Sequence, residues 1–297
     1  MQMDKQSKSL RWGAEQRLEF IEFRLYWEGG INRADLVDFF GVSVPQASND
    51  LSQYQELAPA NLEYDKSRKR YLASQDFRPL FLVPDAAKYL TQLAESHGRG
   101  HADDARVGQS VECAGIPHPH RNIDPEGFRL VLSAAREGHA VEVRYQSMSK
   151  TRPKPIWRWV SPHAFGYDGM RWHARAFCHI DSKFKDFLLP RILGVRKSAE
   201  AKAPGEDDYL WWETISVALK PHPKLTDDQQ AVVAQDYGMK KNELHVEVRL
   251  ALLYYFLRRY GLDFKEAERD PREQHVVLAN PDEVRTALDR AQYVEGA

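Results

Sequence analysis

Cysteine is almost missing from this 297-residue chain, with Cys113 and Cys178 the only two. That excludes a small domain stapled by disulfides, and two thiols without an export signal read as reduced thiols of a cytoplasmic protein. Long apolar runs are missing too. The most apolar stretch, Ala251 to Leu257, stops at Arg258-Arg259, far short of the ~20 residues that a membrane-spanning helix needs. The opening MQMDKQSKSLRWG has none of the apolar core of a secretory signal. There is no Walker loop, G-x-G-x-x-G, H-E-x-x-H or G-x-S-x-G, the spacings that cradle phosphate, ligate zinc or expose a nucleophilic serine. Cys113, His118 and His120 lie close in sequence but lack a fourth zinc ligand. No metal and no cofactor is expected.

Net charge is also nearly absent, with 42 Lys and Arg against 43 Asp and Glu. The balance hides a local excess. Residues 136–197 carry 13 basic and 5 acidic side chains, and residues 198–297 carry 13 and 19. A basic block of this kind attracts anions whatever the overall pI.

The pattern predicts a helix over Glu15–Trp27, with Leu18, Ile21 and Leu25 on one face and Gly29-Gly30 as its stop. A second helix runs from Arg33 to Phe40, capped by Asn32, and a third starts after Ser43 and reaches about Tyr54. With Ala47, Leu51 and Tyr54 inward, Pro45, Gln46, Ser48, Asn49, Ser52 and Gln53 face outward. Helix, turn and helix in this order suit DNA reading. Asn and Gln amides can pair with an adenine edge, and Ser hydroxyls, Ser43 included, can reach phosphate or base. A hairpin follows, with Lys66, Arg68, Lys69 and Arg70 at its tip. That is the order of a winged helix, whose wing lays cations on the phosphate backbone.

After a helix from Pro84 to about His97, the Gly-, His-, Pro- and Asp-rich residues 98–125 read as a linker. A helix over Pro125–Arg136 leads into short strands at Val141–Tyr145, Ile156–Val160, Met170–Cys178 and Phe184–Leu189, which suggest a small, strongly bent sheet or barrel. Alternation puts Arg171, His173 and Arg175 on one face of one strand. That spacing suits successive phosphates, with Arg191 and the aromatics Tyr145, Trp157, Trp159, Phe184 and Phe187 nearby for stacking on bases. Glu206-Asp207-Asp208 reads as a solvated acidic turn, and Trp211-Trp212 as structural or at a subunit contact. The rest alternates strand and helix, a small α+β domain.

Taken in order, the winged helix, Val141-x-Val143-x-Tyr145-x-Ser147, Val160-Ser161-Pro162-His163, Gly169-x-Arg171-Trp172 and Leu189-Pro190-Arg191-Ile192 resemble the WYL-domain transcriptional regulators of bacteria, above all those encoded in phage-defence islands. The resemblance implies an α+β multidomain chain. It would hold an N-terminal winged helix-turn-helix (1–97), a linker (98–125), a central small Sm/SH3-like β-barrel that senses a ligand (126–203), and a C-terminal α+β extension that dimerises (204–297). It implies effector contacts at Tyr145, Ser147, His163, Arg175 and Arg191, to which the strand pattern adds Arg171 and His173. Of the tripeptide that names the family only Trp172 is kept, with His173 and Ala174 in place of the usual Tyr and Leu.

The expected protein is a homodimeric cytoplasmic repressor of a phage-defence operon, not an enzyme. It would bind a palindromic double-stranded DNA operator and a nucleotide or oligonucleotide effector. Two other classes stay open: a nucleic-acid-processing enzyme with the basic barrel as its groove, and an RNA-binding scaffold. The enzyme is disfavoured because no carboxylate cluster is evident beside Arg171–Arg175.

Overall fold

The computed structural model describes residues 3–98, 113, 114, 116, 119 and 121–296. The chain divides into two compact units, Met1–His118 and Pro119–Ala297. Most of the expected linker, together with His118 and His120, lies outside the described residues.

The first unit is a winged helix-turn-helix. Helix α1 (Met3–Glu28) buries Leu18, Ile21 and Leu25. It ends at Gly29, whose φ of +71° favours glycine. The second glycine of the pair does not merely stop the helix. Gly30–Ile31 forms β1, paired with Leu72 and Tyr71, and a Cβ on Gly30 would sit 2.7 Å from the Tyr71 carbonyl oxygen. Helix α2 (Arg33–Phe40) opens with a capping box, in which the Asn32 side chain accepts from Asp35 N and the Asp35 carboxylate accepts from Asn32 N. Gly41 closes it at φ +64°. Helix α3 (Val44–Leu57) is capped by Ser43 and buries Ala47, Leu51 and Tyr54 completely. Strands β2 (Leu62–Asp65) and β3 (Arg70–Ala73) form the wing hairpin in a sheet ordered β1-β3-β2. Helix α4 (Ala86–Gly98) sets Leu93 and Tyr89 against Phe23 and Trp27.

The second unit begins with helix α5 (Pro125–Glu137), capped by Asp124 and closed by Gly138 at φ +69°. Five antiparallel strands follow: β4 (His139–Tyr145), β5 (Ile156–Tyr167), β6 (Trp172–Cys178), β7 (Lys183–Leu188) and β8 (Ile192–Glu200), in the order β7-β6-β5-β4-β8. β8 goes beyond the four strands read from the sequence. The longest strand, β5, changes partner midway. Its first residues pair with β4 up to Val160, and from Val160 onward it pairs with β6, with a register shift between Pro162 and Ala164. Val141, Val143, Tyr145, Val160, Ala174, Ala176 and Phe187 fill the interior under α5.

The remaining elements are α6 (Tyr209–Trp212), β9 (Thr214–Pro221), α7 (Asp227–Asp236), β10 (Leu244–Arg249), α8 (Leu250–Arg259), β11 (Val276–Leu278) and α9 (Pro281–Gly296). Their sheet is ordered β10-β9-β11, and α8 and α9 supply Leu253, Leu257 and Val284 to its core. Among the described residues no helix is long and apolar enough to cross a membrane.

One buried acid organises the first unit. Glu22 on α1 is fully buried and accepts hydrogen bonds from the Tyr54 hydroxyl (3.0 Å) and from the amides of Leu80, Phe81 and Leu82 (each 2.7 Å at its shortest). Asn61 joins from the other side, donating to the Tyr54 oxygen (2.9 Å) and pairing with both backbone polar groups of Arg78. The segment after the wing, which has no regular structure, is thereby fixed to α1 and α3. Glu22→Ala strands a hydroxyl and three amides, so it should destabilise the first unit by about 3 kcal/mol or more. Urea unfolding of this variant against wild type measures the effect, and a loss under about 1 kcal/mol would mean that water replaces the carboxyl group.

Candidate functional site

Helix α3 presents Pro45, Asn49, Ser52 and Gln53 exposed, with Gln46 and Ser48 half-buried and Ser43 exposed at the cap. The half-buried pair already has partners: Gln46 donates to Asp50 (3.0 Å) and Ser48 to the Val44 carbonyl (3.0 Å). Asp50 is buried and held by Arg17 at 2.7 Å. Asn49, Ser52 and Gln53 make no side-chain hydrogen bond among the described residues, so their amides and hydroxyl are available to a partner.

The wing tip is built by Asp65. Its carboxylate accepts from the Ser67 hydroxyl (2.6 Å), the Ser67 amide (2.8 Å) and the Arg68 amide (3.1 Å). The Ser67 hydroxyl, then these amides and the Arg68 charge, hold its pKa below the usual carboxylate value. Lys69 turns the corner at φ +50°. Lys66, Arg68 and Lys69 are exposed. Arg70 differs from them: its guanidinium donates inward to the Gly30 carbonyl oxygen, tying the wing to β1.

In the barrel the expected cationic strand face does exist, but it is saturated with carboxylates. Asp168, in the β5–β6 turn, accepts from Arg171 Nε (2.8 Å) and His173 Nε2 (3.1 Å) as well as from the Met170 and Arg171 amides. Arg175 is fully buried. Its guanidinium donates to Asp208 twice, at 2.7 and 3.1 Å, and to Asp186 at 3.2 Å. His163 reaches the same Asp208 at 2.8 Å, and the Tyr255 hydroxyl on α8 donates to Asp186 at 3.1 Å. Burial pushes the Asp208 carboxyl up, but the hydrogen bonds from His163 and Arg175 outweigh it and hold its pKa below the ordinary value.

Two features differ from what the sequence suggests. Asp208 is not part of a solvated acidic turn, because its side chain is only 1% exposed. Carboxylates do stand beside Arg171–Arg175, so their supposed absence is no argument against an enzyme. No group of three His, Cys, Asp or Glu among the described residues could hold a metal ion. Asp168 is a local partner, three residues before Arg171, whereas Asp186 and Asp208 reach Arg175 only through the fold.

Tyr145 is buried and packs edge-on against Phe187, and its hydroxyl accepts from the Leu188 amide (3.2 Å). Neither ring is open to a base. Trp157 is half-exposed under Arg196 (3.9 Å to its ring centre), Trp159 is half-buried beside His179, and Phe184 packs on Phe177 and His163. Ser147 is half-buried and accepts from the Ser149 amide. Arg191 ends the short helical turn Leu189–Arg191, and its carbonyl accepts from Gln146 N (3.1 Å), which brings it beside Tyr145 and Ser147. Its guanidinium has no partner among the described residues. Sequence reasoning passed over one residue here, Arg158 on β5, which lies over the Tyr145 ring at 5.5 Å. An arginine between two tryptophans gave no signal that it pointed inward.

Comparison with known proteins adds three family models. Residues 13–95 match the BrxR transcriptional regulator winged helix-turn-helix domain, residues 126–197 the WYL domain, and residues 214–284 the BrxR transcriptional regulator C-terminal dimerization domain. The chain is 41% identical over 283 residues to the DNA-binding transcriptional repressor CapW of Stenotrophomonas maltophilia, covering 94% of this chain and 93% of that protein. It is 39% identical over 279 residues to the CapW repressor of Pseudomonas aeruginosa, with the same coverage. A solved structure, proteasome accessory factor B/C of Arthrobacter aurescens, matches at 20% identity and a TM-score of 0.24. That match covers 95% of this chain but only 48% of that one, and it carries no argument about fold.

The Asp168 cluster sets an acid limit for the second unit. Burial alone would raise the carboxyl pKa, but hydrogen bonds from Arg171, His173 and two amides bring it down to about 2. A depressed carboxylate pKa stabilises the fold above the ordinary value near 4, and that contribution is lost as pH falls through about 2. Urea unfolding of wild type between pH 5 and pH 2 should therefore show an acid loss of about 2 kcal/mol that Asp168→Asn lacks. Identical pH profiles would refute the assignment.

Proposed function

This chain belongs to the family of CapW DNA-binding transcriptional repressors, with a winged helix-turn-helix, a WYL domain and a C-terminal dimerization domain, and from that premise we propose that it binds a palindromic double-stranded DNA operator as a homodimer. Helix α3 reads the major groove through Asn49, Ser52 and Gln53, assisted by Ser43, Pro45, Gln46 and Ser48. The wing lays Lys66, Arg68 and Lys69 on phosphates, with Arg70 as its anchor. The observation that carries this reading is the outer face of α3: amides and a hydroxyl exposed on a helix held rigid from beneath, with nothing among the described residues competing for them. A single winged helix spans only a half-site, so specificity needs a symmetric pair. Residues 204–297 supply the dimer contact, where Trp212 and Tyr254 stand exposed. The naming of the relatives as repressors supports a regulatory role without catalysis, exercised in the cytoplasm where the DNA is.

The barrel, residues 126–203, is the sensor in this proposal. A nucleotide or oligonucleotide binds near Ser147 and Arg191 and shifts operator affinity, relieving repression of a phage-defence operon. A ligand acts only through a difference in affinity between two states. The charged network of His163, Arg175, Asp186, Asp208 and Tyr255 is the element that can differ, because a phosphate that claimed Arg175 would have to displace both carboxylates.

Genomic DNA captured by the purified protein, followed by binding to the selected palindrome, tests the DNA half. Asn49→Ala should reduce discrimination between operator and scrambled DNA by about 1–3 kcal/mol. Removing Lys66, Arg68 and Lys69 together should weaken all DNA binding and lower the log–log salt slope by about 0.9 for each phosphate that is no longer neutralised. A triple mutant with the wild-type slope would take the wing off the DNA.

The sensor half predicts that Arg191→Ala leaves operator affinity intact without ligand and abolishes its response to short oligonucleotides and cyclic nucleotides. Arg175→Ala is a poorer probe, since it leaves Asp186 and Asp208 unpaired in the interior. Loss of operator binding by Arg191→Ala in the absence of ligand would make the barrel part of the DNA interface.

A further inference from the structure

Three arginines in the described residues are buried, and two of them are matched. Arg24 meets Glu28 and Asp35, and Arg175 meets Asp186 and Asp208. Arg158 is the exception. It is 3% exposed, and its Nε and Nη2 atoms are buried with no hydrogen-bond partner. A guanidinium cannot shed its proton to escape burial. An unpaired one inside a protein is a standing penalty, not a packing solution.

Its position is equally specific. Arg158 stands across from Val143 in the β4–β5 ladder. Opposed residues of an antiparallel pair share a face, so Arg158 lies on the interior side with Val141, Val143, Tyr145 and Val160, away from Trp157 and Trp159. The Tyr145 ring beneath it supplies a cation–π contact but no acceptor for its N–H groups. The carboxylates nearest in the sheet are already claimed: Glu142 by Arg196, Asp186 by Arg175, and Asp181 of the β6–β7 turn by Arg152 and Lys185, while Glu200 stands exposed at the end of β8 opposite His139. Tyr145 is also bonded to Leu188, at the start of the turn that carries the unpartnered Arg191.

We propose that Arg158 is an anion-binding residue of the barrel interior, and that the acceptor it lacks is a phosphate oxygen of the bound ligand, taken by the guanidinium fork above Tyr145. Arg158 and Arg191, rather than the saturated strand of Arg171, His173 and Arg175, then form the part of the barrel that holds phosphate charge. This rests on the barrel being the ligand-binding part of the chain.

The test uses the full-length protein, with inorganic pyrophosphate as the probe and sodium chloride at matched ionic strength as the control. At about ten times its Kd, pyrophosphate should raise the melting temperature of wild type by about 3 °C or more over the chloride control. Arg158→Met should melt no lower than wild type in chloride, since it removes an unpaired charge, and should lose the pyrophosphate increment. Arg158→Lys, which keeps a charge but not the fork, should retain a smaller increment. Absence of an increment in wild type overturns the proposal, as does a full increment in Arg158→Met. A methionine variant that fails to fold or melts well below wild type also overturns it, by making Arg158 a structural residue. Operator binding with and without the 5′-phosphorylated dinucleotide pTpT separates this from the sensor reading. A pyrophosphate increment that depends on Arg158, with no effect of pTpT on operator affinity, would leave the anion seat standing and remove the effector role.

Discussion

The second unit depends on one buried pairing, the guanidinium of Arg175 between Asp186 and Asp208. The three residues come from β6, β7 and the turn before α6, so the pairing joins the barrel to the start of the C-terminal part. Removing the guanidinium would leave both carboxylates uncompensated in the interior, and leaving a buried charge without its partner typically costs ~3–5 kcal/mol. The surrounding chain is shaped to the pairing. Gly205 passes so close to His163 that a Cβ there would lie 2.6 Å from the histidine Cβ. Glycine at 205 lets the turn bring Asp208 under both His163 and Arg175. Tyr255 extends the same network to α8.

The first unit solves a related problem with Glu22. In both units a buried acid fixes a short connecting segment, the irregular residues 78–82 in one and the single 3-10 turn Gly205–Asp207 in the other. Each leaves another surface free. With Tyr54 locked from beneath, α3 can offer Asn49, Ser52 and Gln53 outward without losing its position. With Arg175, Arg171 and His173 paired internally, Arg158 is the buried cation of this part that has no carboxylate partner among the described residues. A count of basic residues in the barrel therefore overstates what is open to a ligand.

Much of this was legible in sequence. The bounds of α2, the inward triad Ala47, Leu51 and Tyr54, and the wing hairpin follow from capping residues and from periods of 3.6 and 2, which are local properties. Other features were not legible for definite reasons. Gly30 reads as a helix stop, because nothing local says that its backbone will pair with Tyr71. Strand β8 carries a glycine and several charges, and only its ladder with β4 makes it a strand.

The sequence by itself determined most of the elements, their order and the polar outer face of α3, because caps, periodicity and turn residues act over a few positions. Which charges remain unpaired was decided by the tertiary structure alone. Asp168 meets Arg171 and His173 within one local turn, but Asp186 and Asp208 become partners of Arg175 only through strand register and one close turn. Arg158 turns inward because β5 pairs it with Val143. Electrostatic matching is a pairwise, through-space property, and it exists only once the backbone has brought distant residues within a few ångströms of each other.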